Sequence, residues 1–238
     1  MLTEIIKLKK NKKSFLIRET RSFVSRTRKL SIKKCEFINK YWSKFGINFV
    51  KSYLNINDFF DSYAPLILEI GFGTGDSFSK FAFNNTFKNF LGIEVYLPGI
   101  ASCLEYINLY RLKNVRVICH DAVEVLKYMI YDSSLYKVQI FFPDPWPKKR
   151  HRKRRIFTKN FAKLILKKLV VNGILHISTD CQSYAEEISS IVNEISGYIN
   201  LSTSEYDIRK NSSYPITKFE RKSIHLGNTI FHLMFKSV

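Results

Sequence analysis

The chain has 238 residues, enough for one α/β domain with a sizeable core, and its 45% apolar content excludes an intrinsically disordered protein. Its 39 Lys and Arg residues outnumber 20 Asp and Glu residues, and the net charge of +19 favours a polyanionic partner, nucleic acid before an acidic membrane surface. No apolar run approaches the roughly 20 residues of a membrane span, and no Cys or His spacing is typical of a metal site, so we expect a cytoplasmic protein with no metal and four reduced cysteines.

The N-terminal segment, residues 1–34, is strongly basic. It contains twelve Lys and Arg residues and only two acids, Glu4 and Glu19, which predicts a partly disordered basic arm. An organelle transit peptide is the alternative for this segment, and a lysine-biased genome is the alternative source of the overall charge. We expect residues 35–238 to form a single domain. Its first part carries Phe37, Tyr41 and Trp42 at near-helical spacing, which favours a helix packed on the core over a base-stacking surface.

From Pro65 onward, short apolar runs alternate with helical patterns. Five runs are typical of buried parallel strands: 66–70, 90–95, 115–119, 138–142 and 174–178. The predicted helices are 76–83, 99–110, 123–131, 157–169 and 182–195. Two further strands are predicted at 198–204 and 229–235, joined by a long loop that contains residues 217–220. This alternation predicts an α/β fold with a doubly wound, mostly parallel sheet.

A glycine loop follows the first predicted strand and precedes a helix. Gly71, Gly73 and Gly75 allow a tight turn and a close approach of a ligand to the backbone, although this pattern alone is common to many nucleotide sites. Glu69 before the loop and Asp76 after it would repel the pyrophosphate of a dinucleotide such as NAD. They suit the cationic methionine end of S-adenosylmethionine, which we therefore favour as the cofactor. A bond from Glu69 to nearby backbone amides is the structural alternative.

Two more carboxylates follow later strands of the predicted sheet. Glu94 ends the second strand, 23 residues after Gly71, where a carboxylate can accept both hydroxyls of a ribose. Asp121 lies just beyond the third strand, within reach of an adenine edge, but it is also a good cap for the following helix. We expect Glu69, Glu94 and Asp121 to lie on the cofactor side of one site.

The fourth predicted strand leads into what we call the proline loop, residues 143–147. Three prolines in the sequence Pro-Asp-Pro-Trp-Pro restrict its backbone, and ligands in such sheets bind at this end of the strands. We therefore expect Asp144 to be the catalytic residue and to accept a hydrogen bond from the target base. Trp146 is expected either to stack on that base or to pack beneath the loop.

A basic run, residues 148–155, follows the proline loop directly, and seven of its eight residues are Lys or Arg. Such density is most often relieved by phosphates, although a solvated face or a nuclear-localisation signal has the same composition. We expect RNA contacts from most of this run, namely Arg150, His151, Arg152, Lys153, Arg154 and Arg155.

Together, these residues resemble the tRNA (guanine-N7)-methyltransferase family. The similarity covers the chain from about Pro65 to its end, with a further likeness at residues 21–24. The matching segments are EIGFGTGDSF (69–78), GIEVYLPGI (92–100), FFPDPWPKKRHRKRR (141–155), STDCQSYAEEI (178–188) and TKFE (217–220). The PDPWPKK string is specific to the family, whereas the glycine loop is shared with many others.

The resemblance implies a Rossmann-like class I methyltransferase with helices on both faces of the sheet and a C-terminal antiparallel strand. It implies methylation of a guanine N7 in the variable loop of tRNA, with no obligate protein partner. It also implies two sets of site residues. The cofactor set is Glu69, Glu94, Asp121 and Asp144 with the glycine loop, and the substrate set is Lys148, Asp180, Thr217, Lys218, Phe219 and Glu220. For Asp180 and Glu220, a helix cap or a local loop bond is the alternative.

The chain departs from the family pattern at two places, since Cys181 replaces an aromatic residue and residues 221–227 replace a Gly and Arg-rich stretch. These departures affect the expected shape of the guanine pocket more than the expected reaction. A methyltransferase that acts on amino groups remains an alternative function, and so does a non-catalytic RNA-binding module. Product analysis separates the first of these from N7 methylation, and cofactor binding separates the second.

Overall fold

The computed structural model describes residues 30–201 and 214–238. The predicted arm lies outside the described residues except for 30–34, and helix α1 (Ile32–Phe45) already begins there. The predicted packing of its aromatic residues is confirmed, because Trp42 and Phe45 are buried against the main domain. The Trp42 indole Nε1 donates a hydrogen bond of 2.8 Å to the Asn48 side chain, which secures the end of α1.

A single sheet of seven strands forms the centre of the described structure. The strands are β1 (Leu66–Ile70), β2 (Asn89–Ile93), β3 (Val115–Ile118), β4 (Leu135–Phe141), β5 (Leu169–Thr179), β6 (Tyr198–Asn200) and β7 (Phe231–Ser237). Their order is β3-β2-β1-β4-β5-β7-β6, in which β1 to β5 are parallel and β7 is antiparallel to β5 and β6. This confirms the predicted mostly parallel sheet and its C-terminal antiparallel strand.

Helices connect the parallel strands, as the alternating pattern predicts. They are α2 (Asp76–Phe83), α3 (Leu97–Leu109), α4 (Ala122–Tyr128), α5 (Lys159–Lys168), α6 (Gln182–Asn193) and α7 (Lys218–His225), with 3-10 helices at Ile56–Phe59 and Lys149–Arg154. In the two described ranges, no helix has both the length and the apolarity needed to cross a bilayer. The same ranges contain no group of three or more His, Cys, Asp or Glu residues placed to hold a metal ion.

The hydrophobic core lies on both faces of the sheet. Along β1, Leu66, Leu68 and Ile70 pack into one apolar cluster, whereas Ile67 packs into a second cluster rich in phenylalanine. Because side chains alternate along a strand, Glu69 points to the same face as Ile67. The strand therefore carries one carboxylate into an otherwise apolar layer, and only 3% of Glu69 is exposed.

The prediction that residues 217–220 lie in a long loop is wrong. Thr217 caps helix α7, and its side-chain oxygen accepts a 3.0 Å hydrogen bond from the Glu220 amide. The Glu220 carboxylate accepts in return from the Thr217 amide at 3.2 Å. This is a capping box, whose Thr-x-x-Glu signature is local and is present in the sequence.

Candidate active site

The glycine loop turns sharply between β1 and α2. Gly71, Gly73 and Gly75 have φ angles of +77°, +62° and +79°, a region that residues with a Cβ rarely occupy. A Cβ at Gly75 would also lie 2.6 Å from the Cys103 side chain on α3. The loop thus lets α2 and α3 pack closely beside the carboxyl end of β1.

Glu94 organises the backbone at this end of the sheet. One of its oxygens accepts from the Gly73 amide at 2.9 Å, and the other accepts from the amides of Val95 and Tyr96 at 2.7 and 3.0 Å. Burial raises the pKa of Glu94 above its usual range, and the negative charge of Asp144 adds a smaller upward contribution. Glu94 and Asp144, which we expected in one site, are therefore close enough for their charges to interact.

Glu69 lies deeper than Glu94 and has a side-chain partner. The Tyr214 hydroxyl donates a 2.7 Å hydrogen bond to its Oε2 atom. The Tyr214 ring packs between Phe81 and Phe141, with centroid distances of 4.8 and 4.6 Å. Burial raises the pKa of Glu69 to about 8, although the Tyr214 hydrogen bond and the Lys137 charge oppose that rise. The partner of Glu69 is thus a tyrosine that is distant in the sequence, and not the nearby backbone amides of the structural alternative.

Asp121 caps the helix that follows it, which is the structural alternative that the sequence offers for this residue. Its Oδ1 atom accepts from the amides of Val123 and Glu124 at 2.8 and 3.3 Å and so caps α4. The cap fixes the carboxylate just beyond β3, on the same edge of the sheet as Glu94. Both capping bonds involve Oδ1, so the cap occupies only one of the two carboxylate oxygens.

The proline loop leaves β4 with a constrained backbone. Phe142 before it and Trp146 within it have φ angles of +49° and +40°, which non-glycine residues adopt only when their surroundings hold them. The Phe142 amide donates to the Ser178 carbonyl at 2.8 Å, which ties the start of the loop to the end of β5. Asp144 is exposed at the tip. The loop thus presents one carboxylate to solvent from a restrained backbone.

Trp146 packs against the basic run. The Arg154 guanidinium lies 5.1 Å above its indole ring, and the His151 ring meets it edge-on at 5.8 Å. This geometry favours the packing alternative over the base-stacking role for Trp146. Most of the run forms the 3-10 helix Lys149–Arg154, with Arg150, Arg152 and Lys153 exposed.

Arg155 differs from the rest of the basic run. Only 3% of it is exposed, and its Nε donates to the Pro145 carbonyl at 2.7 Å. Its Nη1 pairs with the Glu187 carboxylate. These contacts hold the guanidinium inside the fold. We expected Arg155 to contact RNA, but its side chain is not exposed for such a contact.

All of the expected substrate residues except Lys148 lie just after β5 or at the start of α7. The Ser223 hydroxyl donates to Asp180, which ties the end of β5 to α7. Glu220 is 2% exposed within its capping box, whereas Lys218 and Phe219 are exposed on the first turn. The Phe219 ring stacks over Phe142 at 6.4 Å, beside the proline loop. Lys148 is exposed at the opposite end of that loop.

Comparison with known proteins places this arrangement among methyltransferases. Residues 63–233 match a family model described as "Putative methyltransferase". The chain is 55% identical, over 97% of its length and 96% of the relative's, to a tRNA (guanine-N(7)-)-methyltransferase of Buchnera aphidicola subsp. Baizongia pistaciae. It is 42% identical to the protein of that name from Yersinia pestis, over 99% of both chains. The chain belongs to the tRNA (guanine-N7)-methyltransferase family.

Solved structures agree on the fold of this family member. An rRNA methylase from Streptococcus thermophilus has a TM-score of 0.51 at 12% identity and covers 74% of this chain and 87% of its own. A "putative methyltransferase" from Streptococcus mutans in complex with SAH has a TM-score of 0.50 at 14% identity, over 74% and 90% of the two chains. The prediction of a class I methyltransferase fold is thereby confirmed.

The structure adds three residues that our sequence analysis did not single out. Tyr214 reaches Glu69, Ser223 reaches Asp180, and Phe142 stacks with Phe219. Ser223 could have been found, because it lies one helical turn after Glu220 on the same face. Tyr214 gives no such signal, since its partner lies 145 residues away in the sequence.

Residues 221–227 depart from the family pattern. The first of them, exposed Arg221, pairs with Asp76 at 3.7 Å.

Proposed function

We propose that this methyltransferase uses S-adenosylmethionine to methylate N7 of a guanine in the variable loop of tRNA. The observation that carries the proposal is the gathering of carboxylates at one edge of the sheet. Glu69 is the penultimate residue of β1, and Glu94 and Asp144 follow β2 and β4. The order in which the chain connects the strands reverses between the neighbouring parallel strands β1 and β4. Such a switch point is where open α/β sheets bind their ligands.

The residues present fit S-adenosylmethionine. The glycine loop leaves open space above Gly71 and Gly73, where an added Cβ would meet no atom within 4 Å. Carboxyl groups border the loop, and these hydrogen-bond acceptors suit a ligand with a sulfonium and an ammonium group and disfavour a pyrophosphate. We assign Glu94 to the ribose, Asp121 to the adenine edge and Glu69 to the methionine end. When bound, the cofactor supplies an electrophilic methyl group.

Asp144 is the residue to which we assign catalysis. Guanine N7 has an in-plane lone pair and carries no proton, so the reaction requires no general base. Methylation leaves positive charge on the purine, and a fixed carboxylate beside the ring stabilises that charge as it develops. The constrained backbone on either side of Asp144 supports this role, because positioning contributes much of the rate in such reactions.

The substrate side is assigned to β5, α7 and the basic run. Asp180 and Glu220 are both held by structural hydrogen bonds, and we propose that their carboxylates act on the guanine edge. We also assign Lys148, Thr217, Lys218 and Phe219 to the substrate, because exposed Lys residues suit phosphates. We assign the RNA contacts to Arg150, His151, Arg152, Lys153 and Arg154, and we remove Arg155 from this set.

The proposal is tested by incubating the protein with labelled S-adenosylmethionine and unmodified tRNA, followed by nucleoside analysis. We expect 7-methylguanosine as the product. A methylated exocyclic amine would instead indicate an amino-methyltransferase. Failure to bind S-adenosylmethionine in calorimetry would favour a non-catalytic RNA-binding module.

A further inference from the structure

Arg155 closes the basic run in the sequence but is buried in the fold. Arg150, Arg152 and Lys153 are exposed, whereas only 3% of the Arg155 surface is exposed. Burial of a guanidinium is costly, and contacts to its charge and to its hydrogen-bond donors offset part of that cost. The partners of Arg155 therefore indicate what the residue does.

Those partners belong to two different elements. Nε donates to the Pro145 carbonyl of the proline loop at 2.7 Å. On the other side, Nη1 pairs with Glu187 on α6, and the guanidinium lies 4.5 Å from the centre of the Tyr184 ring on the same helix. The planar fork of an arginine is suited to such simultaneous contacts. Arg155 thus connects the loop that carries Asp144 to a helix of the core.

The three prolines of the proline loop limit the hydrogen bonds that its backbone can donate. Its prolines have no amide hydrogen, so they cannot donate the backbone bonds that would hold the loop. The left-handed conformations of Phe142 and Trp146 persist only where neighbouring groups fix the chain. The hydrogen bond from Arg155 acts at Pro145, between these two positions and directly beside Asp144.

We propose that Arg155 is a positioning residue, which holds Asp144 in its reactive place through the Pro145 carbonyl and makes no phosphate contact. The inference rests on the proposed function, because it needs Asp144 at the methyl-transfer centre. It separates the basic run into an exposed part that meets RNA and a last residue that orders the loop.

The test compares Arg155→Met and Arg155→Lys with Arg152→Met, a neighbouring exposed arginine. We expect Arg155→Met to lower kcat at saturating tRNA by about 10²-fold, the cost of misplacing a reacting group by about 1 Å, with unchanged tRNA Kd. Arg155→Lys should not rescue the rate, because an ammonium keeps the charge but lacks the fork. Arg152→Met should instead raise the tRNA Kd and reduce the slope of log K against log salt by about 1.

Folding of each variant is checked by thermal unfolding and by binding of S-adenosylhomocysteine. Glu187→Gln provides a second, milder probe, because it weakens the ion pair at the half-exposed end without emptying the buried site. It should lower kcat with unchanged tRNA Kd, even if Arg155→Met does not fold. Loss of tRNA affinity in Arg155→Lys or Glu187→Gln, with kcat intact, would overturn the inference.

Asp144→Ala, assayed in parallel, separates this inference from the proposed function. If Asp144→Ala keeps wild-type turnover, the proposed catalytic role of the loop is wrong and the inference falls with it. If Asp144→Ala is inactive while folded Arg155→Met and Glu187→Gln both keep wild-type kcat, only the inference about Arg155 is overturned.

Discussion

The hydroxyl of Tyr214 donates a hydrogen bond of 2.7 Å to the carboxylate of Glu69, and both side chains are buried. The bond joins the end of β1 to the segment that leads into α7. Thr217 caps α7 only three residues after Tyr214, so the carboxylate assigned to the cofactor is connected to the helix assigned to the substrate. This connection motivates the first two predictions.

Tyr214→Phe should destabilise the fold by about 1–3 kcal/mol, because it removes the hydroxyl that satisfies a buried carboxylate. The loss should be larger at pH 9 than at pH 6, since a hydrogen bond to an ionised acceptor is stronger than one to a neutral carboxyl. Urea unfolding at both pH values measures it. Tyr198→Phe is the matched control, because the Tyr198 hydroxyl donates to the Ala162 carbonyl at 2.9 Å, an acceptor that does not titrate. Equal losses for Tyr214→Phe at the two pH values would contradict the prediction.

Glu69 should make the fold less stable as the pH rises from about 5 to 8. Its pKa is raised from 4.5 to about 8 by burial, so within this range the unfolded chain is ionised while the folded chain holds a proton. The slope for one such group is about 1.4 kcal/mol per pH unit, with no contribution below the lower pKa.

The measurement is the difference in unfolding free energy between wild type and Glu69→Gln at pH 5, 6, 7 and 8. The wild type should lose stability relative to the variant across this series. Keeping the series at or below pH 8 limits the influence of Lys137, whose pKa is lowered to about 8 by burial. A difference that stays constant from pH 5 to 8 would show that Glu69 titrates normally.

Asp144→Asn should lose about 10²–10³-fold in kcat, because the amide keeps the shape of the side chain but not the charge that stabilises the developing purinium. Bulk tRNA binding and the unfolding temperature should stay at wild-type values, since Asp144 is exposed. Glu105→Gln on α3 is the control, because it removes an exposed carboxylate to which we assign no role in the site. Wild-type turnover by Asp144→Asn would refute charge stabilisation.

Gly75→Ala should destabilise the fold more than Gly71→Ala. The two glycines have nearly equal φ angles, +79° and +77°, so the backbone cost of adding a Cβ is about the same. At Gly75 the new Cβ would also lie 2.6 Å from Cys103, whereas at Gly71 it meets no atom within 4 Å. Thermal unfolding of both variants measures the difference. Equal losses would mean that α2 and α3 shift apart to accept the methyl group.

Elements with a local signal were predicted well. The bounds predicted for β1 and α2 match the structure, because a buried apolar strand, a glycine turn and an amphipathic helix each leave a pattern within a few residues. The error at residues 217–220 was avoidable, since the capping box is also a local pattern.

Partners that are distant in the sequence could not be predicted in this way. Nothing near Glu69 indicates Tyr214, and nothing in the basic run distinguishes Arg155 from Arg154. Burial depends on which helices and strands pack together, and local patterns in a single sequence do not show which of them do.

The sequence by itself determined the fold class, the order of strands and helices, and the motifs that identify the family, because these depend on local periodicity and on residue types at short spacing. The tertiary structure alone decided which charges are exposed and which are buried. It left Asp144 at an exposed tip, enclosed Glu69 beneath Tyr214 and turned Arg155 inward to the proline loop. The physical reason is that solvation and hydrogen-bond partners are set by neighbours in space, and these come from elements far apart along the chain.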